Sequence, residues 1–371
     1  MNTGFYGLVE MKKKFFNIVW LAVAISCIVI YWNVKDSNYI LVQYESWITN
    51  YFTNPTGSAS PDIAPPVITT PIPPDRFFTP PGNLTVVTAY FDIGRLVGKG
   101  FDKERYTRWA SVFRYIASPL VVYTDSDDFY KNMTSFREYF PEITKIIKFD
   151  RNKLWPFQSI NRIRDIFSQP GYPRHAPNTI MPEYSALQHT KYAVVQHAIQ
   201  NKYLPNKFYA WLDIGYFRDL VGGTQYFQLL PPNDLSESKV AFNQVYGKNE
   251  QLTPSQIFRG NIVWLGGGMF IGRANLLSQF EEQYRRAFNY FLDAKVMNTD
   301  QQVIYSLYSP EGRNALKPQI EIQPYIPHDI PCDPWFYLGF YCRHNMPEGK
   351  CPIRAEVCPT TTTSTTTTTT T

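Results

Sequence analysis

In Lys207-Phe-Tyr-Ala-Trp-Leu-Asp-Ile-Gly-Tyr-Phe-Arg218, an apolar and aromatic run of strand-like composition stops at Asp213. An α/β sheet presents a carboxylate in this way at the carboxyl ends of its strands, where ligands of such sheets bind. Asp213 is therefore the first candidate for chemistry. Upstream, Pro182 to Asn201 reads as a helix. Within it Lys191 stands four residues after Leu187 and four before Val195, with Val194 and Ala198 close by. It thus lies in the apolar stripe of its helix and not on the wet face. A lysine so placed either snorkels to the rim of the sheet or meets an anion.

Further towards the amino terminus, Leu84-Thr-Val-Val-Thr-Ala-Tyr-Phe91 reads as a buried strand. Tyr106, Trp109, Val112, Phe113 and Ile116 then fall at helical spacing, and Pro119-Leu-Val-Val-Tyr-Thr124 is a second strand ending at Asp125. Such a βαβ unit implies a parallel sheet. On the other side of Asp213, Gly260-Asn-Ile-Val-Trp-Leu-Gly-Gly-Gly-Met-Phe-Ile-Gly272 reads as a strand broken by a glycine turn. Leu277, Phe280, Tyr284, Phe288 and Phe291 form a helical stripe, and Thr299-Asp-Gln-Gln302 has the spacing of a capping box that opens one more helix. The strand-like Ile320-Glu-Ile-Gln-Pro-Tyr-Ile326 leads to His328-Asp329. The expected fold is α/β, a mixed and mainly parallel sheet flanked by helices.

Thr88-Ala-Tyr-Phe-Asp-Ile-Gly-Arg95, Trp211-Leu-Asp-Ile-Gly-Tyr-Phe-Arg218, Gly267-Gly-Met-Phe-Ile-Gly272 and Thr299-Asp-Gln-Gln302 occur in an order that resembles the HtrL/YibB-like family over most of residues 84 to 340. More distantly the chain resembles nucleotide-sugar glycosyltransferases of the GT-A fold. That resemblance implies a nucleotide-sugar donor and a divalent metal, manganese or magnesium, held against its diphosphate. In those enzymes the central strand usually ends in Asp-x-Asp; here Gly215 stands where the second Asp would be. The resemblance implies Asp213 and His328 as metal ligands, and Asp213 and Asp300 as catalytic residues. It implies Thr88, Asp92, Arg95, Lys191 and Gln301 as contacts to the donor. One protein carboxylate suffices for a metal when phosphate oxygens and another side chain complete the shell.

Several of these residues also have plain structural roles open to them. Asp92 before Gly94 suits an ordinary strand-to-loop turn, Asp125-Ser-Asp-Asp128 a solvated acidic loop, and Gly266-Gly-Gly268 a simple turn. His328 equally suits a solvated loop, and Asp300 would be welcome at a helix start for the macrodipole alone.

The remaining organisation follows from composition. Residues 1–14 read as a cytosolic tail and 15–32 as a transmembrane signal-anchor, eighteen residues without a charge preceded by Lys12, Lys13 and Lys14. A cleaved signal peptide is the competing reading, against which the run is long and lacks a small-residue cleavage site. Residues 33–82 carry Pro55, Pro61, Pro65, Pro66, Pro71, Pro73, Pro74, Pro80 and Pro81 and read as an extended stem. Residues 83–358 have the length of one sizeable domain, and 359–371 form a threonine-rich tail with nothing to bury.

This topology makes the chain a type II membrane protein of the Golgi or another secretory-pathway membrane, with its domain in the lumen. Cys332, Cys342, Cys351 and Cys358 are then expected to form two disulfides, since their spacings lack the close pairs of usual zinc sites. Asn83-Leu-Thr85 and Asn132-Met-Thr134 would be glycosylation sites. The acceptor would be a glycan or glycoconjugate. A net charge of +5, with lysines and arginines dispersed, argues against nucleic acid as a partner. A catalytically silent sugar-binding relative and a structural secretory-pathway protein are the other readings.

Overall fold

Leu84–Tyr90 (β1), Leu120–Thr124 (β2) and Thr144–Lys148 (β3) pair in parallel, with Val86 opposite Leu120 and Leu120 opposite Thr144. Phe208–Leu212 (β4) then returns to the free flank of β1, also parallel, with Val87 opposite Trp211. Lys239–Gln244 (β5), Leu265–Arg273 (β6) and Glu321–Tyr325 (β7) complete the sheet. β6 runs antiparallel between β4 and β5, and β7 runs parallel to β5. The order is β3-β2-β1-β4-β6-β5-β7. These coordinates are a computed structural model that describes residues 83–94, 102–328 and 332–344. The expected anchor and stem, Arg95, Cys351, Cys358 and the threonine tail lie outside them. The chain divides into Met1–Pro71 and Ile72–Thr371, and every described residue belongs to the second unit. No helix among the described residues is long and apolar enough to cross a membrane.

The strands fill the middle of the core because their residues are apolar on both faces. Leu120 to Thr124 are all buried, as a central parallel strand requires. Alternation along β4 sends Tyr209 and Trp211 to one side and Phe208, Ala210 and Leu212 to the other. On the first side lie the helices Pro182–Gln200, Ala274–Asp293 and Asp300–Tyr308, packing Tyr192, Val195, Phe280, Tyr284, Phe288 and Ile304 against the sheet. On the second lie Lys103–Ala110, Asp127–Phe136 and Tyr337–Tyr341, with Ala110, Phe129, Met133, Leu338 and Phe340.

Three local expectations are corrected. Gly260 to Gly272 is not a strand broken by a turn: the helix Pro254–Arg259 ends at Gly260, and β6 runs unbroken through Gly266, Gly267 and Gly268. The glycines are there because side chains press on the strand. A Cβ on Gly268 would sit 3.0 Å from Tyr216, and one on Gly266 3.1 Å from Val245. The helix through Tyr106 and Trp109 stops at Ala110, tightens into the 3-10 turn Ser111–Tyr115, and leaves Ile116 extended. Cys342 is a buried free thiol, not half of a disulfide, and burial pushes its pKa up.

The sequence holds no sign of the buried Arg137. It donates to Phe113 O (2.8 Å), Ile116 O, Ser118 O (3.2 Å) and Thr144 Oγ1 (2.8 Å), satisfying carbonyls at the turn into β2. Burial lowers its pKa to about 9.

Candidate functional site

The chain steps outward from β1 to β2 and β3, then crosses back to place β4 on β1's other flank. The two connections therefore diverge at the carboxyl ends of β1 and β4, and the crevice between them is where open α/β sheets bind ligands. Asp92 follows β1 and Asp213 follows β4, one on each side of that crevice.

Asp213 continues the alternation of Tyr209 and Trp211 and so faces the helix Pro182–Gln200, where Lys191 waits. Lys191 is 2 % exposed, and its Nζ lies 3.6 Å from Asp213 Oδ1 and 3.2 Å from Asp300 Oδ2. It also donates to Gly267 O at 2.8 Å and Gln188 Oε1 at 3.3 Å, and stands 5.7 Å from the centre of the Trp211 ring. The anion that the apolar-stripe lysine meets is thus a pair of carboxylates from its own chain. Burial works to lower its pKa, but Asp213 and Asp300 outweigh it and hold the pKa above the ordinary lysine value.

The two carboxylates differ. Asp300, 2 % exposed, accepts from Tyr192 OH at 3.4 Å in addition to Lys191. It opens its helix behind Thr299, whose backbone N and Oγ1 both meet Gln302 Oε1 (3.2 and 2.7 Å). Asp213 keeps 42 % of its side-chain surface open. Its Oδ1 takes Trp211 Nε1 at 2.6 Å, and its backbone N–H is tied to Gly268 O at 2.9 Å. Oδ1 thus takes both the indole hydrogen bond and the ion pair, while the side chain stays partly open. Enclosure raises the Asp213 pKa against the pull of Lys191 and Trp211, and Asp300 adds to the rise. With one ammonium against two carboxylates, the cluster carries a surplus negative charge that emerges at Asp213.

Gly267 and Gly215 are fixed by this packing. A Cβ on Gly267 would run into Asp300 Oδ2 and come within 3.1 Å of Lys191 Nζ. At Gly215, the position of the missing second carboxylate, a Cβ would lie 2.8 Å from Trp109 Cε3. An indole occupies the space an Asp would need.

The other expected residues fall elsewhere. Thr88 is fully buried in β1, its Oγ1 without a hydrogen bond, on the face opposite Lys191. That places it in the core and not at a donor. Asp92 is exposed and closes a turn, accepting Gly94 N–H at 3.0 Å where Gly94 has φ +80°. Its backbone is held by Asp125 and by Arg151, which also pairs with Asp125. The loop of Asp125 to Asp128 is not merely solvated, since Lys148 and Lys103 pair with Asp127 and Asp128. Gln301 is half-buried in the first turn of its helix, and His328 is exposed beyond β7. Arg95 lies outside the described residues.

Among the described residues no group of three or more His, Cys, Asp or Glu is placed to hold a metal ion. The donor set does not fit a resident divalent cation: Asp213 Oδ2 is one oxygen, and an ammonium stands beside its partner oxygen. Trp211, Tyr192 and Gln188 escaped the sequence reading. Gln188, one helical turn before Lys191, and Trp211, two residues before Asp213 on the same strand face, carried a spacing signal, and Tyr192 none.

Three comparisons say which known proteins the chain is similar to. Protein HtrL of Escherichia coli (strain K12) is 25% identical over 245 residues, covering 61% of this chain and 84% of the relative. A crystal structure of a glycosyltransferase involved in the glycosylation of the major capsid of PBCV-1 aligns with 66% of this chain and 81% of its own, at 12% identity and a TM-score of 0.30. The family model for "Bacterial protein of unknown function (HtrL_YibB)" matches residues 82–311, which takes in β1 to β6, Lys191, Asp213 and Asp300, and the chain belongs to that family.

Proposed function

We propose that this protein is a glycosyltransferase that moves a sugar from a nucleotide-sugar donor to a hydroxyl of a glycan or glycoconjugate. The observation that carries the reading is Asp213: a carboxylate at the switch point of the sheet, fixed through one oxygen by Trp211 and Lys191, with 42 % of its side chain still open. Its position in the motif Trp211-Leu-Asp-Ile-Gly215, which resembles the end of the central GT-A strand, supports the same assignment.

In this reading Asp213 is the general base. The acceptor oxygen bonds to the sugar's anomeric carbon, its proton passes to Asp213 Oδ2, and the bond from that carbon to the diphosphate oxygen breaks with the electron pair leaving on the diphosphate. A carboxylate whose pKa lies above the ordinary aspartate value is a better proton acceptor than a free one, which suits such a transfer. Asp300, which the resemblance implies as a second catalytic residue, is too deeply buried to meet an acceptor hydroxyl and serves Asp213 through Lys191. Any divalent cation here would arrive with the diphosphate, because the described residues alone do not complete a shell. Membrane anchorage and a lumenal domain belong to the same proposal and rest on residues 15–32 and their lysine flank.

A second reading, a sugar- or nucleotide-binding protein without turnover, is favoured by the indole at Gly215, which leaves no room for a second carboxylate. The test is a thermal-shift screen of the full-length protein in detergent against nucleoside diphosphates and nucleotide sugars, with and without manganese. A ligand of the folded state must raise the melting temperature. A shift coupled to release of nucleoside diphosphate supports the transferase, a shift without turnover supports the binding protein, and no shift in the whole panel removes both.

A further inference from the structure

Between Phe336 and Cys342 the chain carries no charged side chain, yet this stretch is tied to Asp213 through Tyr216. Tyr216 closes the turn that follows β4, its N–H donating to Asp213 O at 3.0 Å, while the N–H of Asp213 donates to Gly268 O at 2.9 Å. The Tyr216 ring, 2 % exposed, passes β6 at Gly268. A Cβ on that glycine would meet the ring at 3.0 Å and Asp213 Oδ2 at 3.7 Å, so ring and carboxylate flank one residue.

The phenol hydroxyl belongs to a buried polar knot. It accepts Gly339 N–H at 2.9 Å and Asn243 Nδ2 at 3.1 Å. Asn243 Oδ1, 3.3 Å from the same hydroxyl, accepts Leu338 N–H at 2.7 Å. Leu338 and Gly339 stand in the first turn of the helix Tyr337–Tyr341, where backbone N–H groups have no partner within the helix. The residue at its N-cap is Phe336, whose side chain cannot accept a hydrogen bond, so the first turn is capped by Tyr216 and by Asn243 of β5. Gly339 is dictated by the contact, because a Cβ there would run into Tyr216 Cε1. A buried hydroxyl with its partners in place holds one position, since any shift leaves polar groups unpaired where water does not reach them. Tyr216 is thus fixed at both ends, by its N–H to Asp213 and by its hydroxyl to the helix.

We infer that Tyr216 is a positioning residue for Asp213, a rigid strut through which the helix Tyr337–Tyr341 sets where that carboxylate stands. The inference rests on the transferase reading for its effect on rate, whereas the hold on the Asp213 turn can be read without turnover. Trp211 and Lys191 constrain Oδ1, and the strut constrains the backbone that carries it.

The experiment is hydrogen exchange by mass spectrometry on the full-length protein in detergent, beside the rate of nucleoside diphosphate release from nucleotide sugars. Tyr216→Phe removes only the hydroxyl, and Gly339→Ala forces the ring aside. Tyr308→Phe is the control, since it deletes a fully buried tyrosine's hydroxyl, bonded to Ile320 O, at the far end of the Asp300 helix. Both strut variants should exchange about tenfold faster at the amides of residues 338 and 339 and also at those of 213 and 216, the shift in local opening worth one hydrogen bond. Release at saturating donor should slow about tenfold with KM unchanged, as expected for a displaced reacting group and not for lost donor binding. Tyr308→Phe should move none of these. If Gly339→Ala does not fold, Tyr216→Phe decides alone. Faster exchange confined to residues 338 and 339, or release at the wild-type rate from a protein whose 213 and 216 amides have loosened, overturns the strut and leaves the transferase reading standing. Loosening at both ends, with no release by wild type from any donor, keeps the hold on Asp213 and removes the transferase reading.

Discussion

Lys191→Met should be the most damaging single substitution in the site, and its size follows from the burial of the groups it would abandon. Lys191 and Asp300 are each 2 % exposed and 3.2 Å apart, so the variant would strand a carboxylate whose remaining side-chain donor among the described residues is Tyr192 OH at 3.4 Å. Removing one partner of a buried pair costs about 3–5 kcal/mol. The Asp213 leg adds little, being longer at 3.6 Å and with 42 % of that side chain open to water. For a domain of this size each kcal/mol is worth about 2–4 °C. The expected fall in melting temperature is therefore on the order of 10 °C. Adding Asp300→Asn should recover part of it by removing the stranded charge, a non-additivity that a double-mutant cycle would read directly. The pH dependence follows from the raised pKa of Lys191. A lysine whose folded pKa lies above its unfolded value contributes stability in full below the ordinary lysine pKa and loses it as pH rises through the folded value. The gap between wild type and variant should be flat from neutral pH to about 10 and close only in stronger alkali. Differential scanning calorimetry of both proteins across pH measures this, and a variant that melts with wild type at pH 7 would refute the buried charge cluster.

Three further outcomes are expected. Gly267→Ala forces a Cβ onto Asp300 Oδ2 and near Lys191 Nζ, and should cost about 1–3 kcal/mol by denaturant titration. An alanine as stable as wild type would show that Asp300 does not press on β6. Gly215→Asp should destabilise while Trp109 is in place, because the new Cβ would lie 2.8 Å from its ring, and Gly215→Asp with Trp109→Ala should be the better tolerated; equal stability of the two would contradict the wedge. The Cys342 thiol, buried and with its pKa pushed up, should alkylate only after unfolding, so rapid labelling of that residue in native protein, read by mass spectrometry, would dispute its placement.

What the amino-acid order reveals here is what short-range periodicity can encode. β1, β2, β4 and the helix Pro182–Gln200 stand within a residue or two of their expected bounds, since a run of β-branched and aromatic residues or a 3.6-residue stripe needs no partner to be recognised. The burial of Lys191 was legible for the same reason. The glycines of β6 were misread because a strand whose side chains are removed to admit Asp300, Lys191 and Tyr216 looks, in one dimension, like a turn. The unequal exposure of Asp213 and Asp300 was illegible too. It depends on β6 running antiparallel between β4 and β5, a long-range fact with no local signature. Thr88 failed as a donor contact because alternation in β1 turns it to the opposite face of the sheet.

The central claim, that Asp213 Oδ2 does chemistry at the crevice, is tested most directly by the rate at which nucleoside diphosphate is released from nucleotide sugars by wild type and by Asp213→Asn. Loss of a general base should slow release by about 10²–10⁴-fold. Lys191 keeps Asp300, so the variant should stay folded. Release at the wild-type rate by a folded Asp213→Asn protein, or no release by wild type from any donor in the panel, would contradict it.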